Sequence, residues 1–128
     1  GGQLPLVVDT PTALRAQIAA GSVRAIGVTS KGPSSLVPGV APVAQQGVAG
    51  FEVSAWNALY APKGTPQAVI DTLNKAVNTI LQRQEVRQKL LEFGFEPGGG
   101  TAQDLADFAK AERTKWEPII RTANIKLN

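Results

Sequence analysis

A chain of 128 residues is the size of one domain or less, and with 43% hydrophobic residues it can bury a modest core, which excludes a disordered chain. Cys, His and Met are all absent, which rules out a Ser-His-Asp triad, a Cys nucleophile and a zinc finger, and leaves the redox compartment open. The net charge of +3 invites a nucleic-acid reading, but the Lys and Arg of residues 61–128 are interleaved with Asp and Glu, so no single-signed stripe forms and no nucleic-acid partner is expected.

The first element is the apolar run Leu6-Val7-Val8, β-branched and without alternation, which predicts a strand covered on both faces. Thr10 is placed to cap a helix and Pro11 suits its first position, because it lacks an N–H that would be unpaired there. A short helix is expected over Thr12 to Ala20, with Leu14 and Ile18 on one face and Gly21 closing it. "VRAIGVTS", residues 23–30, reads as a second strand, giving a parallel, right-handed βαβ unit. Pro33, Pro38, Pro42 and four glycines then break residues 31–50 into an ordered-looking loop with at most a helical turn over Val43 to Gln46.

Residues 51–62, "FEVSAWNALYAP", are the third strand candidate, stopped by Pro62. Thr65 as cap and Pro66 at the first helical position open a helix that carries Val69, Ile70, Leu73, Val77, Ile80 and Leu81 on one face. Another begins near Glu85, with Val86, Leu90 and Phe93 at helical spacing and Gly94 as its C-cap; "FEP" suggests a short edge strand after it. The triple glycine at 98–100 has neither Walker nor dinucleotide-loop spacing and reads as a turn. Thr101 with Asp104 makes a capping-box start for a last helix with Leu105, Phe108, Glu112, Trp116 and Ile119 or Ile120 in a stripe. Pro118 should kink or shorten it, and Trp116 reads first as a core anchor and second as an aromatic binding platform.

No apolar run approaches the roughly 20 residues of a membrane helix, and the start "GGQLPL" lacks the basic region of a signal peptide, so the chain is expected to begin in mid-fold. The runs "FEVSAWNALYAPKGTPQAVIDTLNKAV" and "EVRQKLLEFGFEPGGGTAQDLADFAKAERTKWEPIIRTANIK" resemble the C-terminal part of the tripartite tricarboxylate transporter substrate-binding receptors, the Bug family. "IAAGSVRAIGVTS" and "VPGVAPVAQQGVAGFE" are similar to the segment before it. The resemblance implies an α/β chain forming the C-terminal part of a type II periplasmic-binding-protein fold: a βαβ unit, a crossing strand, then C-terminal helices. Residues 1–54 would be the tail of the second ligand-binding domain, and 55–128 the crossing strand and helices that pack on the first. The implied function is non-catalytic and periplasmic: capture of a small carboxylate or amino acid, without a cofactor, and delivery to the permease subunits of the membrane transporter. The family's signal peptide, its N-terminal Pro-Gly-Gly ligand loop and the main carboxylate-holding loop find no counterpart, so the chain looks like a fragment.

In this resemblance "VVDTPTA" falls at the cleft lip, where Asp9 matches the family's common Phe-Asp-Asn and Thr10 departs from its Asn. Asp9 could accept from a ligand ammonium, a hydroxyl or a bridging water, and the helix N-terminal amides of Thr10 to Ala13 favour an anionic group, which makes Thr10 and Thr12 candidate ligand residues. The plain alternative is that Asp9 only caps the helix and anchors the strand end. Trp56 and Asn57 are the second candidate pair, on the crossing strand. Trp56 faces either the cleft or the interdomain core, and Asn57 departs from the family's common Tyr or Gly. An enzyme is the weaker rival, since no carboxylate pair is placed by spacing at a site. A self-associating module is the stronger rival: a severed half would expose apolar faces and pair with a second copy, as a homodimer that exchanges elements.

Overall fold

The computed structural model describes residues 3–126, so residues 1, 2, 127 and 128, the outer ends of the two expected spans, lie outside the described residues. Four α-helices follow in chain order: α1 (Pro11–Ala19), α2 (Gln67–Leu81), α3 (Gln84–Glu92) and α4 (Ala102–Thr122), with a 3-10 turn over Val43–Gln46. The chain divides into two compact units, one of residues 1–57 with 87–96 and the other of 58–86 with 97–128, the division passing through α3.

In the first unit, Thr10 caps α1 in an extended conformation, and its hydroxyl accepts from the Ala13 N–H, with Pro11 opening the helix. The helix thus starts one residue before the expected Thr12. It ends in a left-handed Gly21 (φ 70°), with Gly21 N–H bonded to the Ile18 carbonyl and Ser22 N–H to the Gln17 carbonyl. This pair of reversed bonds satisfies carbonyls that the last helical turn leaves open, and a glycine adopts the required φ without strain.

The expected strands do not form. Residues 6–8, 23–30, 51–62 and the edge segment 95–97 carry no strand among the described residues; the one β feature is an isolated parallel bridge between Val28 and Pro42. A strand exists only through a neighbour's ladder, and β-branched composition cannot supply that neighbour. The bridge explains why a proline is tolerated there. Val28 N–H donates to the Ala41 carbonyl at 3.1 Å and Val43 N–H to the Val28 carbonyl at 2.9 Å, so the pairing uses the groups on either side of Pro42 and never its missing N–H. Pro42 is fully buried. Gln46 Nε2 ties the bridge from above, donating to the Ile26 and Ala41 carbonyls at 2.9 Å each. Gly27 leaves the room for this, because a Cβ there would stand 3.0 Å from Val43 Cγ2 and 3.1 Å from Gln46 Nε2. Val53 N–H adds one bond to the Thr29 carbonyl at 2.8 Å, after which residues 54–62 run without regular structure.

The second unit is helical. α2 starts one residue later than expected: Pro66, extended at ψ 140°, is the N-cap, and the Thr65 hydroxyl donates backward to the Pro62 carbonyl at 2.8 Å instead of capping. α4 has the expected capping box, with Thr101 Oγ1 accepting from Asp104 N–H at 3.0 Å and Asp104 Oδ2 accepting from Thr101 N–H at 2.7 Å. It runs through Pro118 to Thr122, so the proline does not shorten it. α2 and α4 pack on each other. Trp116 is half-buried rather than a core anchor: its Nε1–H donates to Glu112 Oε2 at 3.0 Å, and the Lys115 ammonium lies 5.3 Å from its ring centroid.

No hydrophobic side chain is fully buried in a core among the described residues, and Leu73, Ile80, Phe93, Phe108 and Ile120 are each at least 44% exposed. The amphipathic faces that the helical spacing marks out are therefore only partly covered: Ile70, Val77 and Leu81 of α2 are half-buried, whereas Leu73 and Ile80 are exposed.

Candidate functional site

Asp9, Thr10 and Thr12 come together at the first turn of α1. Asp9 Oδ1 accepts from the Thr10 N–H at 2.7 Å, so one carboxylate oxygen is engaged by the chain itself. A negative charge there complements the positive end of the helix dipole. Thr10 is spent on its cap, its hydroxyl taken by Ala13 N–H at 3.4 Å.

Thr12 does something that the sequence did not show. Its hydroxyl donates to the Phe93 carbonyl at 3.3 Å across 81 residues of chain, joining the start of α1 to the end of α3. That carbonyl belongs to a second reversed-bond terminus, in which Gly94 N–H donates to the Leu91 carbonyl at 2.9 Å and Phe95 N–H to the Leu90 carbonyl at 2.8 Å. Gly94 is left-handed (φ 83°), as its expected capping role requires, and a Cβ built on it would overlap the Thr12 hydroxyl. Ser34 Oγ donates to Glu96 Oε1 at 2.9 Å, fixing the same turn to the loop after residue 30. Glycine at 94 was legible as a cap; that it also makes room for Thr12 was not, since spacing along the chain carries no signal for a contact between its two ends.

Trp56 and Asn57 lie in the irregular segment after Val53 rather than on a strand; Trp56 is 41% exposed and Asn57 is exposed. Both belong to the same compact unit as Asp9, Thr10 and Thr12.

A second constellation, unmarked in the sequence, holds the triple glycine. Asn78 Oδ1 accepts from Gly100 N–H, and Asn78 Nδ2 and Asn74 Nδ2 both donate to the Gly100 carbonyl, each at 2.9 Å. Two Asn four residues apart on one helix, followed by a glycine loop, is the signal that could have found it. Gly99 and Gly100 have positive φ, 133° and 122°, which glycine adopts without strain, and residues 98–100 run as irregular chain rather than as the expected turn.

Comparison with known proteins gives one consistent result. The model of the tripartite tricarboxylate transporter family receptor matches residues 1–125. The chain is 35% identical over 128 residues to a UPF0065 protein from the tcbD-tcbE intergenic region of Pseudomonas sp. strain P51, covering 99% of this chain and 38% of that protein. It is 38% identical over 120 residues to a UPF0065 protein from the clcB-clcD intergenic region of Pseudomonas knackmussii, covering 93% and 71%. With the protein BugT of Bordetella pertussis it shares 30% over 127 residues, covering 99% and 39%. The solved structure of R. palustris Rpa4515 with adipate superposes at a TM-score of 0.77 and 34% identity over 97% of this chain and 42% of that one. The chain thus spans about two-fifths of the length of most of these proteins, and it has the fold of the matching part of Rpa4515.

Proposed function

The chain belongs to the tripartite tricarboxylate transporter family receptors, and from that premise we propose that it is part of a periplasmic solute-binding receptor which captures a small carboxylate and delivers it to a membrane permease. The observation that carries this reading is the likeness to R. palustris Rpa4515, whose structure holds adipate, over nearly the whole of this chain. The role is binding rather than catalysis. Adipate has two anionic ends and an apolar middle. With the Thr10 and Ala13 N–H groups bonded within the chain and Pro11 without one, the Thr12 N–H and the positive end of the α1 dipole suit one end, and the exposed ring of Trp56 suits the middle, with Asn57 beside it as a donor. Asp9 repels a carboxylate in direct contact, so it acts through a ligand hydroxyl, an ammonium or a bridging water.

The test is a thermal-shift series with adipate, other mono-, di- and tricarboxylates, and amino acids. It is run on this chain and on a chimera in which the chain replaces the matching segment of Rpa4515. A ligand at a hundred times its dissociation constant stabilises the folded state by about 2.7 kcal/mol, a visible shift. A shift in the chimera alone supports a receptor whose site needs further protein; shifts in both mean that the residues around Asp9 suffice. A folded chimera that responds to nothing overturns the reading. The exposed apolar faces favour one second reading, a self-associating module, and a dimer in light scattering combined with no ligand response would select it.

A further inference from the structure

We propose that the turn ending α3, with Gly94 at its centre, is a positioning element for the ligand lip at Asp9 and Thr10, acting through Thr12. The inference rests on the reading of that lip given under Proposed function. Its geometry stands independently of that reading.

Three observations converge on the turn. Its Phe93 carbonyl receives the Thr12 hydroxyl at 3.3 Å, the one described bond that ties the first turn of α1 to a distant part of the chain. Its Gly94 lies so near Thr12 that any Cβ there would overlap the hydroxyl, and the residue sits at φ 83°, where L side chains are strained. Its Glu96 receives Ser34 Oγ at 2.9 Å, so the turn is itself held from a second side. Thr12 follows Pro11 immediately and is two residues from the Thr10 cap, so an anchor on Thr12 fixes the direction of the first-turn amides and of the Asp9 carboxylate bonded to Thr10 N–H. A nine-residue helix with no buried side chain has little else to hold its start in place. Gly94 and Phe93 touch no ligand in this scheme; they orient the residues that do.

The experiment has two readouts on the full 128-residue chain. The first is amide exchange, by NMR, at Ala13 and Leu14, which bond to the Thr10 carbonyl at 3.1 and 3.3 Å. Thr12→Val, close in shape but without the donor, is expected to speed exchange there on the order of fivefold, the loss of one net hydrogen bond. Thr12→Ser restores the donor and should return it towards the wild-type rate. Gly94→Ala should speed it at least as much, and Thr12→Ala in that background should relieve part of the effect by vacating the overlapped space. Unchanged exchange in Thr12→Val, no rescue by Thr12→Ser, or wild-type amides exchanging at free-peptide rates would each overturn the inference. The second readout is adipate titration, in the chain and in the chimera. Weakened binding in Thr12→Val with recovery in Thr12→Ser, at an unchanged melting temperature, supports positioning. Wild-type binding that Thr12→Val leaves intact overturns the inference and spares the receptor reading. A folded wild-type chimera that binds neither adipate nor any other carboxylate or amino acid of the thermal-shift series overturns both, whatever the exchange rates show.

Discussion

Asn78→Ala removes the amide that receives the triple-glycine loop, and the structure sets the size of the effect. Asn78 makes two of the three bonds that cross from α2 to the loop, accepting from Gly100 N–H at Oδ1 and donating from Nδ2 to the Gly100 carbonyl, both at 2.9 Å. At about 0.5–1.5 kcal/mol net for each, the gross loss is about 1–3 kcal/mol. Alanine's better helix propensity returns about 0.5 kcal/mol. The Gly100 carbonyl keeps Asn74 Nδ2 at 2.9 Å, and the half-buried site lets water reach the orphaned N–H, so a net loss of about 1–2 kcal/mol is expected. Asn74→Ala should cost less, because both ends of Gly100 remain bonded to Asn78. The assay is urea unfolding followed by Trp116 fluorescence in a Trp56→Phe background, so that the signal reports the helical unit, with stabilities compared at constant slope. A midpoint for Asn78→Ala equal to that of the parent, or a larger loss in Asn74→Ala, would refute the argument.

Two more predictions concern α4. The Asp104 carboxyl is held below its ordinary pKa, first by the Thr101 backbone N–H and second by the Thr101 hydroxyl. A group whose folded pKa is depressed contributes stability that is present above the unfolded value and lost as pH falls through the folded one, so helicity should drop as pH is lowered below about 4. Asp104→Asn should flatten that limb of the circular-dichroism titration; superimposable curves would refute it. Pro118 stands exposed inside α4 without an N–H to give, and its ring opposes the carbonyl four residues back. Pro118→Ala should therefore stabilise the helical unit by about 1–3 kcal/mol, and a lowered melting temperature would contradict this.

The positions of the helices, their caps and their glycine ends were legible because these are local. Thr10, the Thr101–Asp104 box, Gly21 and Gly94 act on backbone groups within a few residues of themselves, and the apolar face of α2 repeats at the helical period. The family was legible as well, through motif order along the chain. Thr65 shows the limit of local reading, since its hydroxyl had two nearby backbone partners and took the one behind it. What tertiary structure decided is whatever needs a partner distant in sequence. The apolar runs at 6–8 and 51–62 have strand composition, yet a strand is a relation between segments, and among the described residues only Val28 and Pro42 pair, as an isolated bridge. Thr12, read as a candidate ligand residue at the cleft lip, also sends its hydroxyl to Phe93, and the Asn74–Asn78 spacing takes on a role only once Gly100 stands beside it. Sequence states which groups can donate, accept or hide from water, and chain folding alone determines which of them meet.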